Sequence, residues 1–80
     1  MKPDKFMMDY WTDELNSSCP EQQDEDMRMF ITDKIKWNKK QIGLSKDDLI
    51  RLISFQYATQ KAGLEDRFRE LEKQIIKELA

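Results

Sequence analysis

Apolar residues recur along this chain at helical spacing, three and four apart, with almost no strict alternation, and the pattern predicts helices only. From Phe6 to Leu15 the apolar side chains are Phe6, Met7, Met8, Tyr10, Trp11 and Leu15. Met7, Trp11 and Leu15 step by four, and Met8 and Tyr10 widen that face. A short amphipathic helix over about 4–15 follows, with Pro3 suited to its first turn. The stretch "NSSCP" breaks it. A second helix is expected from Pro20 to about residue 41. Ser18 and Glu21 have the spacing of a capping box, and Met27, Phe30, Ile31 and Ile35 form the inward stripe.

The stretch "IGLSKDDL" reads as a tight junction. Gly43 suits the left-handed residue past a helix end, and Ser45 is a good N-cap. Leu44 and Leu49 are placed for a hydrophobic staple across that cap. Beyond it a stripe runs through Ile50, Ile53, Tyr57, Gln60, Leu64, Phe68, Leu71, Ile75 and Leu79 without losing phase. The expectation is one long helix over about 46–78, with Gly63 as its weak point and the place where it breaks if it breaks at all. The fold class is therefore all-α, in one domain spanning 1–80: two short N-terminal helices and a long C-terminal one.

Eighty residues sharpen this picture. A chain of that size buries only about 60% of the surface its unfolded form exposes, so a lone core is marginal. A single cysteine, Cys19, rules out a disulfide within the chain, and the absence of histidine rules out the usual zinc sites. No metal or cofactor is expected, and a second copy is the expected support. The strip Leu64, Phe68, Leu71, Ile75 and Leu79 would overshoot the shorter helices and leave an apolar seam for a homodimer of coiled-coil type.

Charge is abundant, at 38% of residues with a net of −2, and unevenly spread. Residues 1–33 hold nine acids and three bases, and residues 34–80 hold eleven bases and seven acids. Each cluster suits the helix end it occupies, with acids at the start of the second helix and bases at its close. No apolar run approaches the roughly 20 residues of a membrane span, and the start of the chain lacks the apolar core of a secretory signal. With one free thiol, a cytoplasmic protein is expected.

Catalysis finds no support in the residue types: there is no histidine, no phosphate loop and no nucleophile turn. Cys19 has acids, Glu21 and Asp24, for neighbours, which oppose its thiolate. The expected function is to bind another protein as a small regulator, adaptor or inhibitor. Its contact candidates are Phe6, Tyr10 and Trp11, since aromatic residues dominate interface energies, and the acids Asp24, Glu25 and Asp26. The alternative is nucleic-acid binding through Lys34, Lys36, Trp37, Lys39 and Lys40 beside a helix-turn-helix-like junction. Against it stand Asp47 and Asp48, acids where a reader's helix would approach phosphate.

Overall fold

A computed structural model describes residues 2–79 of the chain. Four helices run in the order α1 (Lys5–Ser17), α2 (Pro20–Asn38), α3 (Lys46–Lys61) and α4 (Glu65–Glu78). The helix starts are set by local chemistry. Asp4 caps α1, its Oδ1 accepting the Met7 N–H at 3.1 Å, so Pro3 lies outside the helix rather than in its first turn. Pro20 holds the first position of α2, where a missing N–H costs nothing. That choice displaces the expected capping box. The N-cap is Cys19, extended as a residue before proline must be, and makes no side-chain cap. Ser18 instead closes α1 by donating to the Glu14 carbonyl at 2.6 Å. Ser45 caps α3 as expected, its Oγ accepting the Asp48 N–H at 3.2 Å and donating to Asp48 Oδ2 at 2.9 Å.

The helix ends differ most from the periodic reading. α2 stops at Asn38, short of residue 41, because Lys40 takes the left-handed conformation (φ 58°). Its N–H donates to the Trp37 carbonyl at 2.9 Å, and the Gln41 N–H donates to the Lys36 carbonyl at 2.8 Å. These are the two bonds of a Schellman closure. Gly43, expected in that role, is not left-handed. The connection over 39–45 is accordingly looser than the expected tight junction.

The expected long helix is broken at Gly63 (φ 75°) by the same closure: Gly63 N–H to Gln60 O at 3.1 Å, and Leu64 N–H to Thr59 O at 2.8 Å. Leu64 then packs on the core, and α4 starts without a side-chain cap. Glu65 and Asp66 occupy its first turn, where the dipole favours acids.

Packing explains why the chain turns there. The principal helix pairs are α1 with α3 and α2 with α4. The core is built from Leu15, Met27, Phe30, Ile31, Ile35, Phe55, Ala58, Phe68 and Ile75. At its centre the rings of Phe30 and Phe55 stack 4.0 Å apart at 7°, and Trp11 meets both edge-on at 5.2 Å. One residue each from α1, α2 and α3 thus meets at one point. Edge-on and stacked pairs of this kind contribute about 0.5–1.5 kcal/mol beyond their buried area.

The inner face of α3 is Ser54, Phe55, Ala58 and Thr59, not the expected stripe. Tyr57 and Gln60 of that stripe point outward, and Tyr57 is 46% exposed. Small side chains on this face let α1 approach closely. Buried Ser54 also ties the two helices, since its Oγ accepts the Asp4 N–H at 2.8 Å and donates to the Ile50 carbonyl at 2.6 Å. The expected dimer seam turns inward for the same reason. With the helix broken at Gly63, α4 folds onto α2. Phe68 and Ile75 are buried, and Leu64 and Leu71 are half-buried against the core. Leu79 and its neighbour Ile76 stay exposed.

Three ion pairs join α2 to α4: Arg28 to Glu78 at 2.7 Å, Lys34 to Glu72 at 3.3 Å, and Asp24 to Arg67 at 2.7 Å. Asp9 and Lys61 face each other across α1 and α3 at 3.8 Å. Two of these four pairs set an acid of the first 33 residues against a base from the remainder, so part of the charge asymmetry is spent inside the molecule. Being half-exposed, each contributes only about 0–1 kcal/mol.

Candidate functional site

The aromatic candidates divide by the face of α1 they occupy. Trp11 points to the core, whereas Phe6 is 82% exposed and Tyr10, one turn on, 52% exposed. Phe6, Met7, Tyr10 and Trp11 line an open groove of about 450 Å³ whose far wall is Arg51 of α3. Tyr10 meets Trp11 edge-on at 5.3 Å, which fixes the phenol ring relative to the core tryptophan. Arg51 is exposed and makes no ion pair among the described residues. The groove therefore combines aromatic surface with an uncommitted guanidinium, the two side-chain types most often responsible for binding energy at interfaces. Sequence reasoning named the rings but missed Met7 and Arg51. Arg51 carries no local signal, because only the docking of α1 on α3 brings it alongside.

The acidic candidates do not form one surface. Asp24 is held by Arg67, whose other contacts are Gln23 Oε1 and the Pro20 carbonyl, both at 3.2 Å. Asp24 Oδ1 is shielded from water. Its contact with Arg67 is an ion pair at 2.7 Å rather than a well-directed hydrogen bond. Gln23 in turn donates to the Leu15 carbonyl at 2.7 Å, closing the end of α1. Asp26 accepts from Gln22 at 3.0 Å, and Glu25 is exposed. Asp24 thus serves the fold, and only Glu25 and Asp26 remain at the surface as contact candidates.

The basic candidates are dispersed as well. Lys34 pairs with Glu72, and Lys39 reaches the Leu79 carbonyl at 3.5 Å. Lys36 lies on the side of α2 away from Lys34 and Asn38, as the helical repeat requires. Trp37, 40% exposed, does not stand among lysines but walls an apolar cleft of about 170 Å³ with Leu49, Leu52 and Ile53. Lys34, Asn38 and Gln56 complete its rim. A DNA reader's geometry is not built around it. The turn of a helix-turn-helix is three or four residues, whereas 39–45 separates α2 from α3, and α3 packs mainly on α1. The first turn of α3 presents Asp47 and Asp48 to solvent.

No helix among the described residues is long and apolar enough to cross a membrane. Comparison with protein-family models, with curated proteins and with solved structures returned no match for this chain.

Proposed function

We propose that this chain is a small, non-catalytic binding protein that acts by covering part of another protein, as a regulator, adaptor or inhibitor. Its contact is the α1 groove of Phe6, Tyr10 and Arg51. The observation that carries this reading is Phe6, a phenylalanine 82% exposed on an ordered helix beside a half-exposed tyrosine. An exposed leucine or methionine is ordinary, but a cluster of aromatic rings beside an unpaired arginine is the composition of an interface centre. A reducing, cytoplasmic setting belongs to the same proposal and is supported by the single exposed thiol of Cys19. A homodimer through α4 does not, since four of the five residues of that seam pack against the chain's own core.

The test is retention from a lysate of the cells that make the protein, in nuclease-treated and untreated arms, on the wild-type chain and on the Phe6→Ala/Tyr10→Ala variant. A protein band kept by the wild type in both arms and lost from the variant is the expected result. Both residues are exposed, so the variant should keep its stability within about 0.5 kcal/mol per site. Retention that vanishes with nuclease would replace this reading by the nucleic-acid one. Retention indifferent to the two substitutions would remove the α1 groove as the contact.

A further inference from the structure

We propose that the exposed face of α1 docks on the same face of a second copy of this chain, the two α1 helices lying antiparallel, so that self-pairing covers Phe6 and Tyr10 when no other protein does. The pairing rests on that face being the contact proposed above, and adds regulation to it. Charge order points to the occupant. α2 opens on Glu21 and closes on Lys36, α3 opens on Asp47 and Asp48 and closes on Lys61, and α4 opens on Glu65 and Asp66 and closes on Lys77. Each order suits the helix dipole. Among the described helices α1 alone reverses it. After the Asp4 cap it has no acid in its first turn and no base in its last, and it carries Lys5 at the start and Asp13 and Glu14 near the close. Lys5, Asp13 and Glu14 are exposed and make no ion pair among the described residues. The reversed order opposes the dipole of a lone α1, yet it complements itself once a second α1 runs the other way.

The aromatic residues obey the same symmetry. In an antiparallel pair centred on Met8, Phe6 of one copy lies opposite the partner's Tyr10, and the twofold axis repeats the contact. Lys5 then lies two residues, roughly 3 Å along the axis, from the level of the partner's Asp13. Lys5, Asp9 and Asp13 step by four along one flank of α1, so base and acid meet on the same side. Asp9, between them, is already matched by Lys61 at 3.8 Å, which moderates its repulsion of its own copy at the centre of that flank. Glu14 lies on the other flank, one turn on from Tyr10 and Trp11, and is the acid nearest in register to the partner's unpaired Arg51.

The second copy covers Phe6, 82% exposed, and Tyr10, 52% exposed, on both chains at once. For a chain whose lone core is marginal, that cover stabilises the fold as well as the pair. Any other protein that uses Phe6 and Tyr10 competes with the second copy. Dilute chain therefore presents an open α1, and concentrated chain masks it.

Sedimentation equilibrium of the purified chain over a dilution series, at low salt, tests this. The wild type should pass from one chain mass to two as concentration rises, and Phe6→Ala should abolish the change. Lys5→Glu alone and Asp13→Lys alone should each weaken the pair roughly tenfold, since each turns two attractive contacts into repulsive ones. Lys5→Glu with Asp13→Lys in one chain should restore it, and so should mixing the two single variants. Both positions are exposed and neither change opposes the helix dipole, so chemical denaturation of dilute samples should show no loss of stability. A wild type that stays at one chain mass up to NMR concentrations, a dimer indifferent to Phe6→Ala, or charge reversals that are not rescued in combination would each overturn the proposal. No other protein is present in these samples. Their failure would leave the lysate result untouched, and failure of the lysate result would leave a dimer that masks no partner.

Discussion

Two helix ends in this protein make the same closure with different residues. α3 ends on Gly63 and α2 ends on Lys40, both left-handed, and each supplies the same two N–H donors to the last carbonyls. At Gly63 the conformation costs little, since glycine has no Cβ to clash. At Lys40 it costs about 1–2 kcal/mol, yet the lysine holds it while Gly43 stands three positions on in an ordinary conformation. A glycine near a helix end is therefore evidence that a stop is permitted, not evidence of where it falls. Carbonyl closure and the direction the chain must take next decide the position.

The strongest way to break this comparison is at Gly63. Gly63→Ala should destabilise the fold by about 1–2 kcal/mol in chemical denaturation. A Cβ there meets no atom within 4 Å, so the whole cost is backbone. A neutral Gly63→Ala would mean that α3 and α4 are not joined through a left-handed residue. The reverse experiment is Lys40→Gly, which should stabilise by roughly 0.5–1 kcal/mol, the relief of strain less the entropy glycine adds to the unfolded chain. A loss of stability instead would show that the Lys40 side chain contributes more than its conformation costs. The smallest effect belongs to Gly43→Ala. With open space and no left-handed angle, it should stabilise by about 0.5 kcal/mol. Together the three variants separate where glycine is needed from where it merely occurs.

The helical class, the start of α2, the cap of α3 and the inward stripe of α2 were legible in the sequence because each rests on local signals: Pro20, Ser45, and the spacing of Met27, Phe30, Ile31 and Ile35, whereas the Asp4 cap that leaves Pro3 outside α1 was not read. The inner face of α3 was not. Ser54, Ala58 and Thr59 are small or polar, so hydropathy places them outside, while Tyr57 and Ile53 draw the stripe onto the wrong side. Ser54 is buried because its hydroxyl is satisfied at both ends, by the Asp4 N–H and the Ile50 carbonyl. Half of that arrangement lies 50 residues away. The same shift favoured one continuous helix over the break that Gly63 also allowed, since the unbroken phase ran through Tyr57 and Gln60, which do not face the core. Phe6 and Tyr10 could be named as contact candidates, but Arg51 and the Trp37 cleft could not, because each exists only once helices distant in sequence are brought together.

The pairing of α1 with α3 and of α2 with α4 also bears on how the chain reaches this state. Neighbours in sequence are not the main partners, so a helical hairpin formed early gains little of the final packing. Each principal pair has to close a loop that contains an entire helix, and that ordering entropy is spent before the packing repays it. The aromatic meeting of Trp11, Phe30 and Phe55 is the point at which α1, α2 and α3 all become committed. A folding transition state that contains it must already have brought together residues 44 positions apart. For a helical protein of 80 residues, this topology raises the loop-closure cost of assembly above that of a bundle in which sequence neighbours are the main partners.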